Sequence, residues 1–339
     1  MAAAGVSEAP RHLAPPAAEQ LAPLGEPPSF SIVIAAYEAA ATIAAALDSA
    51  LEQTLPAHEV IVVDDGSKDD LEGALEPFAG KITVLRQENR GAGPARNTAV
   101  AAASGEFVTI LDADDRYHPG RLAALAGLAM ERPDLDLLCT DARLLVEGRP
   151  VGTFAAQTPF AVADQRGAIF ESCFVGGWPA VRRASFNAVG GFDESLRIAQ
   201  DWDCWLRVIL AGAQAGFVDE PLYDYFLHGG SLASSRLASL WERVTMLENA
   251  GRNPALRAED RPALARALRR HRAQAARATI EAAVYGDAPR AGLPRLAASR
   301  GLGLRMRALA LAGAAAPALA RRFVPRVAPP EQRFEAGGE

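Results

Sequence analysis

The chain has 339 residues, half of them hydrophobic, and a formal net charge of -6. That length and apolar content can bury a sizeable core in one domain with an appendage or in two modest domains. The charge is uneven: residues 231–339 hold 19 arginines against 9 acidic residues, which leaves about -16 on residues 1–230 and argues against nucleic-acid binding there. Cys139, Cys173 and Cys204 show no paired spacing and read as small buried residues of a reducing compartment, not a disulfide frame or zinc site. No run of about 18 uncharged apolar residues predicts a membrane span. The N-terminus lacks the basic-then-apolar order of a secretory signal, so the expected location is cytoplasmic.

Residues 1–28, rich in Ala, Pro and Glu without periodicity, read as a disordered leader. Ser29 to Ala36 is a nearly continuous apolar run, as expected of a strand covered on both faces. A helix is predicted over Ala40 to Leu55, a strand over Glu59 to Val63 and a helix capped by Asp69 or Asp70 through Phe78. A strand follows over Lys81 to Leu85, then a glycine-containing loop at 89–93. Pro94 opens a helix to Ser104 in its first turn, and Glu106 to Leu111 is another strand. Beyond it come a helix over Pro119 to Glu131, a strand over Leu135 to Thr140, a hairpin with loops over 143–168, a helix opening near Gln200-Asp201 and a short strand over Phe217 to Pro221. From Leu232 alanine, leucine and arginine dominate, with helical spacing in Leu237 to Asn249 and Arg261 to Val284. Leu302 to Val324 is apolar and broken at Pro317, and 325–339 reads as a frayed tail.

Strand–helix alternation predicts an α/β domain with a largely parallel sheet over 29–231 and a helical region over 232–324. In such sheets ligands lie beyond the carboxyl ends of the strands. Tyr37, Asp64-Asp65 and Asp112, Asp114 and Asp115 all fall at such ends. Three carboxylates within four residues repel one another, and burying them is costly unless a cation is present. Hard oxygen donors of this kind suit Mg2+ or Mn2+ carrying a phosphate. A solvated turn with an aspartate capping the next helix is the competing reading of that stretch alone.

Taken in order, Ile34-Ala35-Ala36-Tyr37-Glu38, Val63-Asp64-Asp65-Gly66-Ser67, Ala95-Arg96-Asn97, Asp112-Ala113-Asp114-Asp115, Gly190-Gly191-Phe192-Asp193 and Gln200-Asp201 resemble the inverting family 2 glycosyltransferases of GT-A fold. The resemblance covers roughly residues 29–231. It implies a Rossmann-like nucleotide-diphospho-sugar transferase that moves a sugar from a nucleotide-sugar, a UDP-sugar in the first instance, to an acceptor hydroxyl of a polysaccharide, glycolipid or glycan. It further implies Asp65 on the nucleotide base, Tyr37 stacked near it, Asp112 by the ribose, Arg96 near the nucleotide, Asp114 on the metal of the diphosphate and Asp201 as general base. Two departures stand out: Ala35-Ala36-Tyr37-Glu38 replaces the usual Pro-x-Tyr-Asn, and Gln200 replaces the usual Glu before Asp201.

Other residues carry two readings each. His228, before Gly229-Gly230-Ser231, is either a metal or diphosphate ligand or an exposed structural histidine. Trp178, after Gly176-Gly177, either stacks on an acceptor sugar or belongs to the core. Asp201 is either a base or a helix cap. The basic C-terminal helices either pack on the catalytic domain and shape the site for a saccharide or lipid-linked acceptor, rest on the inner face of a membrane as a peripheral contact, or form a soluble helical appendage. The rivals to a transferase are a nucleotide-sugar-binding module without turnover and a sugar-nucleotide pyrophosphorylase. The second wants a glycine-rich loop that Tyr37-Glu38-Ala39-Ala40 does not supply.

Overall fold

The computed structural model describes residues 26–227, 236–299 and 301–324. His228, the tail over 325–339 and all but the last residues of the expected leader lie outside the described residues. In chain order the elements are β1 (Phe30–Ala36), α1 (Ile43–Leu51), β2 (Glu59–Asp64), α2 (Leu71–Leu75), β3 (Thr83–Arg86), α3 (Ala92–Ala102), β4 (Phe107–Ile110), β5 (Arg116–Tyr117) and α4 (Arg121–Glu131). There follow β6 (Leu137–Val146), β7 (Arg149–Thr153), α5 (Phe154–Gln157), α6 (Gln165–Glu171), β8 (Ala180–Arg182), α7 (Arg183–Ala188), α8 (Gln200–Leu210) and β9 (Ala215–Leu227). The helices α9 (Arg236–Ala250), α10 (Arg261–Tyr285), α11 (Leu293–Ala298), α12 (Leu304–Ala315) and α13 (Pro317–Ala320) complete the described chain.

Among the described residues, nine strands form one sheet in the order β3-β2-β1-β4-β8-β6-β9-β5, with β7 paired to β6. The pairs β3–β2, β2–β1, β1–β4 and β6–β9 are parallel, while β8 runs against both β4 and β6 and β5 runs against β9. The chain steps outward from β1 through β2 to β3, then returns to place β4 on the other side of β1. That reversal is the topological switch point where doubly wound sheets open a crevice for ligands. Tyr37 follows β1 and Asp112 follows β4, so both stand at its mouth.

The unbroken apolar runs are explained by two-sided burial. In β1, Val33 packs into a core with α3 and α8, while its neighbours Ile32 and Ile34 pack on the opposite face with α1, α2 and α4. Asp70 caps α2 by accepting from Gly73 N, and Asp69 instead reaches back to Ala40 N at 2.8 Å. That bond belongs to the turn over residues 39–42, which delays α1 to Ile43, later than the sequence predicts. The strand predicted over Phe217 to Pro221 is 13 residues long, because Tyr223 and its neighbours continue beside β6 after a bulge.

The core crosses the expected boundary at residue 231. Met246 and Leu247 of α9 and Leu264 and Ala267 of α10 bury against the cluster that holds Cys204, Trp205 and Val33. A second cluster gathers the later half of α10 with α11, α12 and α13 around Ile280, Val284, Leu293 and Ala310.

Candidate active site

A cleft of about 1010 Å³ opens at the switch point. Tyr37, Asp65, Arg96, Asp112, Asp114 and Asp201 all line it, so the sheet topology gathers residues from five separate segments. Tyr37 stands 47% exposed on the rim. Glu38 beside it takes a left-handed conformation, φ 53°, which is uncommon for a non-glycine residue. Two bonds hold it there: Glu38 N donates to Ser67 Oγ at 3.0 Å, and Lys68 N donates to Glu38 Oε1 at 3.0 Å.

Asp65 organises the adjoining loop. Its Oδ1 accepts from Gln87 Nε2 at 2.8 Å and Arg90 N at 3.0 Å, and its Oδ2 accepts from Gly91 N at 2.7 Å. Gly91 sits at φ 97°, a region open to glycine and costly for other residues. Each carboxylate oxygen can accept two bonds, so Oδ2 keeps one acceptor position. Asp65 is therefore first an anchor for the loop that leads into α3.

Arg96 projects from α3 and forms an ion pair with Asp112. Burial works to lower its pKa, but the charges of Asp112 and Asp201 outweigh it and hold the guanidinium above its ordinary value. Arg96 is buried. Asp115, the third carboxylate of the cluster, is buried: it accepts from Tyr223 Oη at 2.8 Å and Phe226 N at 2.8 Å. Burial, then the charge of Asp112, pushes its carboxyl well above the usual range. Asp112, Asp114 and Asp115 all line the cleft, but both oxygens of Asp115 accept bonds from β9, which leaves Asp112, paired with Arg96, and Asp114 as the candidate ligands. Among the described residues no three His, Cys, Asp or Glu side chains form a metal cage. One or two carboxylates completed by water and substrate phosphate suit Mg2+ or Mn2+, so the donor set fits such an ion.

Asp201 is the second residue of α8, and Ala199, not Asp201, occupies the N-cap position. Burial raises its pKa above the ordinary carboxylate range; the Trp202 amide and Arg96 offset part of this, and Asp112 adds to it. Trp202 N donates to Oδ1 at 2.7 Å. The other oxygen lies against Gly177, where a built Cβ would sit 3.0 Å from Oδ2. The absence of a side chain at Gly177 lets its backbone approach the Asp201 carboxylate closely. The turn before α8 is clamped from α9: Glu242 accepts from Arg197 N, Ile198 N and Ala199 N. Nothing in the local sequence signals that contact.

Trp178 does not present a face to the cleft. It is 6% exposed, stacked on Tyr223 at 4.7 Å and packed edge-on against Phe154 at 5.1 Å. The buried Arg121 donates to its carbonyl at 2.6 Å. This corrects the acceptor-stacking reading: the ring is core, and Tyr225, tilted against it at 5.4 Å, lines the cleft instead.

The family model described as glycosyl transferase family 2 matches residues 31–190. The succinoglycan biosynthesis protein ExoU of Rhizobium meliloti is 31% identical over 227 residues, covering 62% of this chain and 65% of that protein. The chain therefore matches just under two thirds of that relative's length. Its fold is similar to S. aureus TarS 1–349 solved with UDP, at TM-score 0.58 and 22% identity over 91% of this chain and 92% of that one. It is also similar to the mannosyltransferase PcManGT from Pyrobaculum calidifontis solved with GDP-Man and Mn2+, at TM-score 0.54 and 24% identity over 91% of each chain. Sheet order, the placement of the cleft at the switch point and these matches converge: residues 31–190 match glycosyl transferase family 2, and the chain has the GT-A fold.

Proposed function

We propose that the chain transfers a sugar from a nucleotide-sugar, a UDP-sugar in the first instance, to an acceptor hydroxyl in polysaccharide, glycolipid or glycan synthesis. The reaction inverts the anomeric carbon and uses Mn2+ or Mg2+. The observation that carries this reading is the joint placement of Asp201 and the Asp112–Asp114 carboxylates on one cleft, with Arg96 interacting electrostatically with both groups. The nucleotide and nucleotide-sugar bound by TarS and PcManGT support the donor class.

In this reading Asp65 and Tyr37 hold the nucleoside end and Asp112 lies by the ribose. Asp201 takes the proton of the acceptor hydroxyl as its oxygen bonds to the anomeric carbon. The bond from that carbon to the diphosphate oxygen breaks, and the nucleoside diphosphate leaves. Burial suits Asp201 to this task, because a raised proton affinity makes a stronger base. Asp114, with Asp112, would hold the divalent ion, which supplies charge neutralisation to the departing diphosphate. Arg96 adds a fixed positive charge beside Asp112.

The acceptor in this reading is a saccharide or lipid-linked glycan met at a membrane surface. Leu304, Leu311, Leu319 and Phe323 of the last helices and their end are exposed, with Arg305 and Arg322 exposed among them. Apolar groups flanked by arginine favour an anionic bilayer surface. Among the described residues no helix is long and apolar enough to cross a membrane. Flotation with anionic and neutral vesicles tests the contact, with binding expected to the anionic vesicles alone.

Calorimetric titration of UDP, GDP and dTDP, each with Mn2+ and then with chelator, tests the transferase reading. Metal-dependent binding of UDP, lost in Asp114→Ala, is the expected result. Preference for another nucleotide would replace the donor class, and binding of none would overturn the reading.

A further inference from the structure

The helix that carries Asp201 has no side-chain cap of its own, since Ala199 stands at the N-cap position. The missing acceptor comes from α9. Glu242 Oε1 accepts from Arg197 N at 3.0 Å, while Oε2 accepts from Ile198 N at 2.6 Å and Ala199 N at 2.9 Å. One carboxylate thus takes three consecutive backbone N–H groups at the entry to α8. Bonds to an ionised acceptor are roughly twice as strong as neutral ones, and a negative charge is favoured at a helix N-terminus. The clamped turn is itself a wall of the cleft, because Arg197, Ile198, Gln200 and Asp201 all line it. A second contact comes from the next residue of α9: the Arg243 guanidinium lies 5.6 Å from the centroid of the Trp202 ring.

We propose that Glu242 is the positioning residue of Asp201: from α9 it fixes the entry of α8, and so fixes where the Asp201 carboxylate stands against Gly177. The proposal rests on the transferase reading. It gives α9 a task in turnover, whereas the same helix also buries Met246 and Leu247 in the shared core.

Glu242 also adds negative charge near the N-terminus of α8, whose positive end would otherwise favour the ionised form of Asp201. The other groups interacting with Asp201 are Arg96 from α3, Asp112 after β4, Arg243 from α9, Cys173 before β8, Cys204 within α8 and Tyr225 from β9. None of these changes when Glu242 is replaced by glutamine. The acidic limb of the turnover profile therefore moves to lower pH in Glu242→Gln.

The experiment compares wild type, Glu242→Gln, Glu242→Asp and the control Glu248→Gln. Glu248 is on the same helix, paired with Arg272 at 2.8 Å. Release of nucleoside diphosphate from UDP-, GDP- and dTDP-sugars is measured with Mn2+ across pH. Calorimetry gives the matching nucleotide affinities, and hydrogen exchange reports the amides of residues 197–199. In Glu242→Gln, kcat should fall about tenfold or more while nucleotide Kd stays within about threefold, with faster exchange at 197–199. Glu242→Asp keeps the charge and both acceptor oxygens and should recover part of kcat and the wild-type pH limb. Glu248→Gln should match wild type. If Glu242→Gln does not fold, Glu242→Asp carries the test through a smaller kcat loss at unchanged Kd. A folded Glu242→Gln with wild-type kcat and pH profile would overturn this inference and leave the transferase reading standing. A wild type that releases no nucleoside diphosphate from any of these donors would overturn both.

Discussion

Gly177 and Asp201 meet with no room between them: a methyl group on Gly177 would lie 3.0 Å from Asp201 Oδ2. Cys173 and Arg121 hold the Gly177 segment from either end, through Cys173 Sγ to Gly176 O and Arg121 to Trp178 O. Gly177→Ala therefore moves the carboxylate rather than the backbone. Displacement of a reacting group by a fraction of an ångström lowers turnover without weakening the donor. The expected result is a fall in transfer of about tenfold with unchanged nucleotide affinity, measured by steady-state kinetics beside calorimetry.

Asp201→Asn should retain nucleotide binding and lose transfer by about 10²-fold or more, the usual scale for a general base. Its stability should move the other way. Burial raises the folded pKa of Asp201, so the folded chain holds that proton more tightly than the unfolded chain does. Such a group contributes stability below its unfolded pKa of about 3.9 and loses that contribution as pH rises through the folded value. Asparagine has no such loss. Thermal midpoints measured from about pH 4 to pH 8 should show the variant gaining on wild type as pH rises, then levelling.

Asp65→Asn removes one of the two oxygens that hold the 87–91 loop and sets an amide N–H against a backbone N–H. A buried donor left facing a donor costs about 1–3 kcal/mol. Nucleotide affinity should fall about tenfold, and exchange at the Arg90 and Gly91 amides should rise. Tyr37→Ala, which leaves the Asp65 bonds to that loop in place, should weaken nucleotide binding with no change at those amides.

Chelator should weaken nucleotide binding by wild type and restore it on addition of Mn2+ or Mg2+. Asp114→Ala should bind equally weakly with and without the ion. The measurement is paired titrations at constant ionic strength. A metal response that persists in Asp114→Ala would remove Asp114 as its ligand.

The sheet was legible because two-sided burial writes itself as unbroken apolar runs. Ile32, Val33 and Ile34 alternate between two cores, so β1 is apolar without a break from Ile32 to Ala36. The cleft residues were legible because polar side chains at the ends of β1, β2 and β4 have no place in those cores. Trp178 misled because a preceding pair of glycines is compatible with an open loop, whereas its ring is packed against Tyr223, far along the chain. Glu242 left no trace either. Its partners are backbone N–H groups, which every residue but proline carries, so nothing in the residue types of 197–199 advertises the contact. The length of β9 was hidden by Pro221 and by a register shift where it passes Asp141.

Helix α10 is one continuous rod of 25 residues, about 37 Å long. Its first turns lie in the core of the sheet domain through Leu264 and Ala267, and its last turns lie in the separate terminal cluster through Ile280 and Val284. A chimera that joins this catalytic sheet to a foreign C-terminal module therefore has no clean seam near residue 231. Cutting there strips a greasy face from α8, and cutting inside α10 breaks a single rod. A seam at Gly286, where the rod stops in a left-handed turn, spares the sheet core but uncovers Ile280 and Val284, so the foreign module must bring an apolar face to cover them.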